Sequence, residues 1–380
     1  MDTDNSIAPI FSRAAFRRDR RLVMWLALSL LVCVVELLWN KSYAGDFTGG
    51  YTDHVHHARA TWAFLNHGLD AYKRPLLETS VNIGYAQSGM TWETYPVAYP
   101  PGMFVAFLLP AILGRIYTGP EAVFGKFVIF ELTLITHAAL WALAPVFRRV
   151  ASHFWTGVLV LSWIFLVRIT LMGFYDGAWL LAGALGVDYL ARRRPGPALA
   201  CFVIANLTSY RAAGFAVLAL YALIELLRGD ARRVVKIAYL VGTAVSAAVV
   251  VWSFAMLVKY SPHDGGAGSP LLPLKFTGIW LLVFGLLTGA LLAVRVSKLV
   301  GLSVMLASAL SILHAGHHWH VCICIPSLLA LALARQKPLW AQLLMAFWFL
   351  VLMRYAFSYG PFGMMDEVLK FIELNGRPVR

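Results

Sequence analysis

Few side chains in this sequence can do chemistry, and most sit in a handful of polar intervals. The longest interval runs from Gly45 to Pro101 and is dense in acids, histidines and tyrosines. In it, Asp53 leads into HVHHARATWAFLNHG, where Val55, Ala58, Trp62 and Leu65 recur at helical spacing and Gly68 stops the helix. An acid in the first turn of a helix is kept ionised by the dipole and the free N–H groups there. A carboxylate held in that way can take a proton from a sugar hydroxyl. With Thr52, the same residue could equally be a helix cap. Asp46, close behind Gly45, is the alternative acid or a turn residue. His54 and Tyr99 are candidate substrate contacts in the same interval.

Two further sets stand apart. His317, His318 and His320 flank Trp319 in one short turn, AGHHWH. They could bind a metal, meet a phosphate or hydroxyl, or line an interface beside an aromatic belt. Adjacent histidines on one turn rarely converge on one ion, and no acidic set lies near them, so no metal site is expected. Arg168, Arg211 and Arg354 fall within apolar runs or at their ends. A cation at that depth is costly and a functional candidate by default, and guanidinium suits phosphate. Snorkelling to the interface is the plainer alternative, as good an account for Arg354 but a weaker one for Arg211. Glu36 and Glu131, also within apolar runs, are possible partners for these cations. Tyr175-Asp176 starts another run, where Asp176 contacts substrate or caps a helix. Lys275 closes the polar stretch that begins at Lys259 and is a further candidate for phosphate.

The elements that must position these residues are helices in a membrane. Of 380 residues, 60% are hydrophobic and only 13% charged, with a mean hydropathy of +0.70. A soluble chain carries about a quarter charged residues. The net charge of +13 sits mostly in short clusters at the ends of apolar runs. That placement follows the positive-inside rule and asks only for anionic lipid, which argues against nucleic acid. The four cysteines, Cys33, Cys201, Cys322 and Cys324, all lie in apolar runs, so no disulfide framework is implied. Cys322 and Cys324 are two apart on a helix and make poor co-ligands.

In chain order, residues 1–21 form a basic cytoplasmic N-terminus ending in FRRDRR. No small-x-small cleavage site follows the first apolar run, Leu22–Trp39, which reads as an uncleaved anchor. The loop of residues 40–126 is then extracytoplasmic. Met103–Leu113 is too short to cross and is expected as an interfacial or re-entrant helix. Spans are expected at about Phe127–Phe147, Phe154–Phe174 and Gly177–Leu190. Pro197–Leu227 reads as a hairpin of two short arms breaking near Ser209-Tyr210-Arg211. Further spans follow at about Ile237–Leu257, Gly278–Val294, Leu299–Leu313, Val321–Ala334 and Leu339–Phe357. One membrane domain of about 11 transmembrane helices thus covers residues 22–358. The tail, 359–380, is exterior, with DEVLKFIEL as a small amphipathic surface helix. No repeat of fixed period is visible.

Taken together, the ordered motifs resemble a known family. Asp53 follows the first span. Gly68, Asp70-Ala71-Tyr72 and Tyr99-Pro100-Pro101 come after it. This is similar to the first loop of GT-C glycosyltransferases. Phe174-Tyr175-Asp176-Gly177 with the Arg192–Arg194 cluster is similar to a second shared region. His317-His318-Trp319, ahead of a span holding Pro326, resembles a motif of the bacterial polyprenyl-phosphate-mannose-dependent α-mannosyltransferases. The likeness covers most of the chain from Phe47 to Ala334. Two departures stand out. Tyr210-Arg211 replaces a frequent Lys, and Ala71 replaces a Pro.

The resemblance implies an all-α polytopic enzyme of the GT-C fold in a bacterial plasma membrane, with an extracytoplasmic active site. It implies inverting transfer of a sugar, mannose first, from a polyprenyl-phosphate carrier to a lipid or glycan acceptor. No cofactor is implied beyond that lipid-linked donor. Asp53 falls on the family's acidic position, and His317 or His318 on its later histidine. A transporter or flippase for an anionic or lipid-linked substrate is the alternative. A scaffold or export subunit is a further one. Against transport, no inverted repeat is found and the polar residues favour one side.

Overall fold

The computed structural model describes residues 17, 19–39, 53–74, 99–116, 121–148, 162–164, 166–167, 169–171, 173, 175–260, 278–313 and 320–359. Among them there is no strand, and nearly every residue is helical. The chain divides into two compact units. The first is Met1–Thr94 with Phe104–Ala184, and the second is Tyr95–Met103 with Leu185–Arg380.

In the first unit, α1 spans Arg20–Trp39 and begins and ends where the apolar run predicts. Leu26, Ser29, Cys33 and Leu37 recur at spacings of three and four and form its buried face. That face packs on α5, Glu121–Arg148, where Ile129 joins Cys33, Leu37 and Leu171 in one cluster. Outward lie Met24, Leu28, Leu31, Val35 and Leu38, all exposed. Such a face is unfavourable in water at about 25 cal/mol per Å² and neutral in hydrocarbon.

Between α1 and α5 come three shorter helices. α2 is Asp53–His67, ended by Gly68 at φ +54°, as its position predicts. A 3₁₀ turn, Gly68–Tyr72, follows it. The buried stripe of α2 differs from the expected one. His57, Ala58, Ala60, Thr61 and Ala63 are buried, whereas Leu65 is exposed. The small residues let α2 approach α4 and α5, and side-chain size outweighs apolarity there. The expected short helix Met103–Leu113 is two pieces, α3 (Met103–Ala106) and α4 (Leu108–Ile116), broken at Phe107. Neither is long enough to cross a bilayer. Of the expected span Phe154–Phe174, the described residues are helical within 162–171. α6, Asp176–Ala191, runs across the boundary between the units.

The second unit is built from α7 (Pro195–Thr208), a 3₁₀ turn (Tyr210–Phe215), α8 (Ala216–Arg228) and α9 (Arg233–Tyr260). α10 (Gly278–Arg295), α11 (Lys298–Leu313), α12 (His320–Leu333) and α13 (Leu339–Tyr359) complete it. The hairpin expected over Pro197–Leu227 is present and breaks at Ser209. α10 and α11 approach until Gly289 and Gly301 face each other's backbone. α9 turns Leu240, Val241, Val245, Val251 and Phe254 outward.

Among the described residues, four helical segments are long and apolar enough to cross a membrane: Arg20–Trp39, Gly125–Val146, Tyr210–Arg228 and Arg233–Met256. The expected amphipathic helix DEVLKFIEL lies outside the described residues.

A buried polar chain ties α1 to α5. The Trp163 indole N–H donates to Ser29 Oγ at 2.9 Å, and Ser29 Oγ lies 2.8 Å from His137 Nε2. His137 Nδ1 lies 2.7 Å from the Thr133 carbonyl, which accepts only, so Nδ1 carries the proton. Nε2 therefore accepts from the Ser29 hydroxyl. Ser29→Ala removes the middle of this chain. It should lower stability in lipid nanodiscs by about 1 kcal/mol, the scale of such bonds between membrane helices. Ser246→Ala on α9, whose hydroxyl bonds only its own helix at Gly242, should leave the unfolding midpoint in place. Equal midpoints for both variants would mean that the Ser29 bonds contribute nothing.

Candidate functional site

The predicted site residues fall into two groups, one in each unit. In the first unit, Asp53 is the opening residue of α2. Of Asp53, His54 and Arg354 the structure describes the backbone alone. Asp46, Arg168, Lys275, His317, His318 and Trp319 lie outside the described residues.

One turn beyond Asp53, His57 is buried between two rings. Its centroid lies 4.9 Å from Tyr175, nearly perpendicular at 86°, and 5.1 Å from Phe107. Phe107 and Tyr175 also meet edge to face at 5.8 Å. Such edge-on pairs are favoured because a positive ring edge faces a negative ring face. His57 thereby joins the helix that Asp53 opens to Tyr175-Asp176. The sequence presents four histidines between Asp53 and Gly68 and no reason to prefer this one, apart from its i+4 relation to Asp53.

Asp176 starts α6 and is fully buried. Its Oδ1 accepts the indole N–H of Trp179 at 2.8 Å. Both expected roles, cap and contact, place the carboxylate at the positive end of a helix. Gly177 lets α6 press on Thr136 of α5, whose hydroxyl bonds Thr170 at 2.8 Å. The other part of the first loop is structural. Tyr72 is buried edge-on to Phe64 and Phe104, which stack at 4.2 Å. Glu131 of α5 has one carboxyl oxygen buried without a hydrogen-bond partner among the described residues.

In the second unit the centre is the turn Tyr210–Phe215. Arg211 sits in it, partly buried. Ser209 caps the turn, its Oγ accepting the Arg211 N–H at 3.2 Å. The Tyr210 hydroxyl reaches Ser253 Oγ on α9 at 3.0 Å. Phe202 and Phe215 stack across the turn at 5.5 Å. The Tyr99-Pro100-Pro101 segment joins the same place. The Gly102 N–H donates to the Leu207 carbonyl at 2.8 Å, two residues before Ser209. α11 and α12, the helices on either side of His317-His318-Trp319, both pack on the turn. Tyr99, Arg211 and the supports of the histidine motif thus converge in one unit. Ser253 and Gly102 were not visible as site residues in the sequence, because each acts through a contact distant in the chain.

The fold and these clusters define an all-α protein with helices of membrane-crossing length and two sets of buried polar and aromatic groups. Compared with protein-family models, curated proteins and solved structures, the chain matches none.

Trp179→Phe leaves the buried Asp176 carboxylate without its indole donor. A cycle of Asp176→Ala, Trp179→Phe and the double variant should show coupling of about 1–3 kcal/mol in thermal unfolding. Additive single effects would mean that another contact holds Asp176.

Proposed function

We propose that the protein is an inverting glycosyltransferase of the GT-C type, using a polyprenyl-phosphate sugar, most simply mannose. The observation that carries this reading is the Arg211 turn. It collects the Tyr99–Pro101 segment and the helices flanking His317-His318-Trp319 around one cation. The segment and the flanking helices belong to two of the motifs on which the resemblance rests, and they are far apart in sequence. The His57–Tyr175 contact supports the same reading by joining the Asp53 helix to the Phe174–Gly177 region.

In this reading about 11 helices cross a bacterial plasma membrane, and the site faces the extracytoplasmic side. The Asp53 carboxylate takes the proton of an acceptor hydroxyl. The acceptor oxygen forms a bond to the anomeric carbon. The bond from that carbon to the phosphate oxygen breaks, and both electrons leave with the phosphate. Arg211, with His317 or His318, stabilises the charge that develops there. A β-linked mannose donor would give an α-mannoside.

The test uses purified protein in lipid, radiolabelled polyprenyl-phosphate mannose and a membrane lipid extract as acceptor. Wild type should move label to a new product. Asp53→Asn should slow that step by about 10²–10⁴-fold, the usual worth of a general base. Arg211→Gln should lose more activity than Arg211→Lys, which keeps the charge without the planar fork. Equal transfer by wild type and Asp53→Asn would move the base to Asp46 or Asp176. No transfer from any polyprenyl-phosphate sugar by folded wild type would favour a transporter or flippase.

A further inference from the structure

We propose that Gly102 is a positioning residue for Arg211, holding the Tyr99–Pro101 segment against the Arg211 turn. The proposal rests on the glycosyltransferase reading for its catalytic consequence, but not for its geometry.

The argument starts with a broken helix. α7 ends at Thr208, and the carbonyls of its last turn lose their intrahelical donors. Had the helix continued, the Leu207 carbonyl would accept the Arg211 N–H. Instead the Arg211 N–H goes to Ser209 Oγ, and the Leu207 carbonyl takes the Gly102 N–H. Two hydrogen bonds replace one, and the second crosses 105 residues (207 − 102). Only glycine permits it. A Cβ at residue 102 would lie 2.6 Å from the Leu207 oxygen, 2.7 Å from its carbon and 2.9 Å from the Thr208 nitrogen. All three are backbone atoms, so no side-chain rotation relieves the contact. The added methyl must push Tyr99–Pro101 away from the turn or displace the turn itself.

The consequence is specific. Arg211 belongs to the turn whose entry Gly102 satisfies, and Tyr99 belongs to the segment Gly102 anchors. Separating the two should misplace the cation relative to Tyr99 without substituting either group. A misplacement of about 1 Å near a reacting group can cost on the order of a hundredfold in rate.

The experiment has an arm that needs no activity and one that does. Hydrogen exchange is followed by mass spectrometry over peptides covering 99–104 and 205–215, in wild type, Gly102→Ala and Gly242→Ala. Gly242 on α9 has open space where its Cβ would go and serves as the control. Gly102→Ala should speed exchange in both peptides by about tenfold, the scale of one lost hydrogen bond, and Gly242→Ala should not. Should Gly102→Ala fail to fold, wild type decides alone. The Gly102 amide should exchange slowly, and exchange as fast as a free peptide would overturn the docking.

In the activity arm, Gly102→Ala should lower kcat/KM for the lipid-phosphate donor by about ten- to a hundredfold. In an Arg211→Gln background the same substitution should cost almost nothing further, because its effect runs through Arg211. A full, additive penalty in that background would overturn the positioning role. Absence of transfer in wild type would sink the glycosyltransferase reading while the exchange data still settle the docking.

Discussion

The end of α7 imposes the constraint on which the second unit depends. A backbone that leaves helical geometry inside an apolar region must still satisfy its N–H and C=O groups, because no water is there to do so. At Thr208 the helix stops and the polar groups need new partners. Three are supplied: Ser209 Oγ for the Arg211 N–H, the Ser209 carbonyl for the Ala212 N–H, and the Gly102 N–H for the Leu207 carbonyl. Only the last comes from outside the hairpin. It is what brings Tyr99-Pro100-Pro101 to the turn, and the two prolines beside it cannot donate in its place. The phenolic bond from Tyr210 to Ser253 then fixes the turn to α9 from another direction.

The first unit meets a similar need differently. It has no unwound break among its described long helices, so apart from Pro145 of α5, which cannot donate, their backbones bond internally and the burden falls on side chains. Buried polar side chains there come in bonded sets: Trp163, Ser29, His137 and Thr133, or Asp176 with Trp179, or Thr136 with Thr170. The first and last of these link separate segments and the second stays within α6; in each, a lone polar group would be costly. His57 is held by ring edges and faces among Tyr175 and Phe107, which favours one orientation of α2 over its neighbours.

What could be read from the sequence follows from the range of the interaction concerned. α1, α5 and α9 match the long apolar runs, and basic residues mark their ends, because both signals are local. The stop at Gly68 and the break at Ser209 are legible for the same reason, being set by residues at the break itself. The buried face of α2 is legible only in part, at Ala58. Apolarity points to Leu65, but α4 and α5 select the small residues and His57. The division of Met103–Leu113 at Phe107 has a local signal in Pro110, which fits the first turn of a new helix but not the interior of one begun at Met103. Asp53, Asp176 and Arg211 are legible as candidates because charge is rare in this chain. Gly102 is not, since nothing near it in sequence announces the carbonyl of Leu207.

The length of α7 adds a last step. Its 14 residues rise about 21 Å, well short of the roughly 30 Å hydrocarbon core. Alone it cannot cross, so its end and the turn after it rely on neighbouring segments for cover. Irregular backbone in a hydrocarbon layer is tolerated only where protein buries it or where it borders a polar cavity. The Tyr99–Gly102 segment, α11 and α12 supply the first condition on several sides. The short helix and the satisfied break therefore belong together: α7 can end early because segments distant in the chain close the backbone that it leaves open.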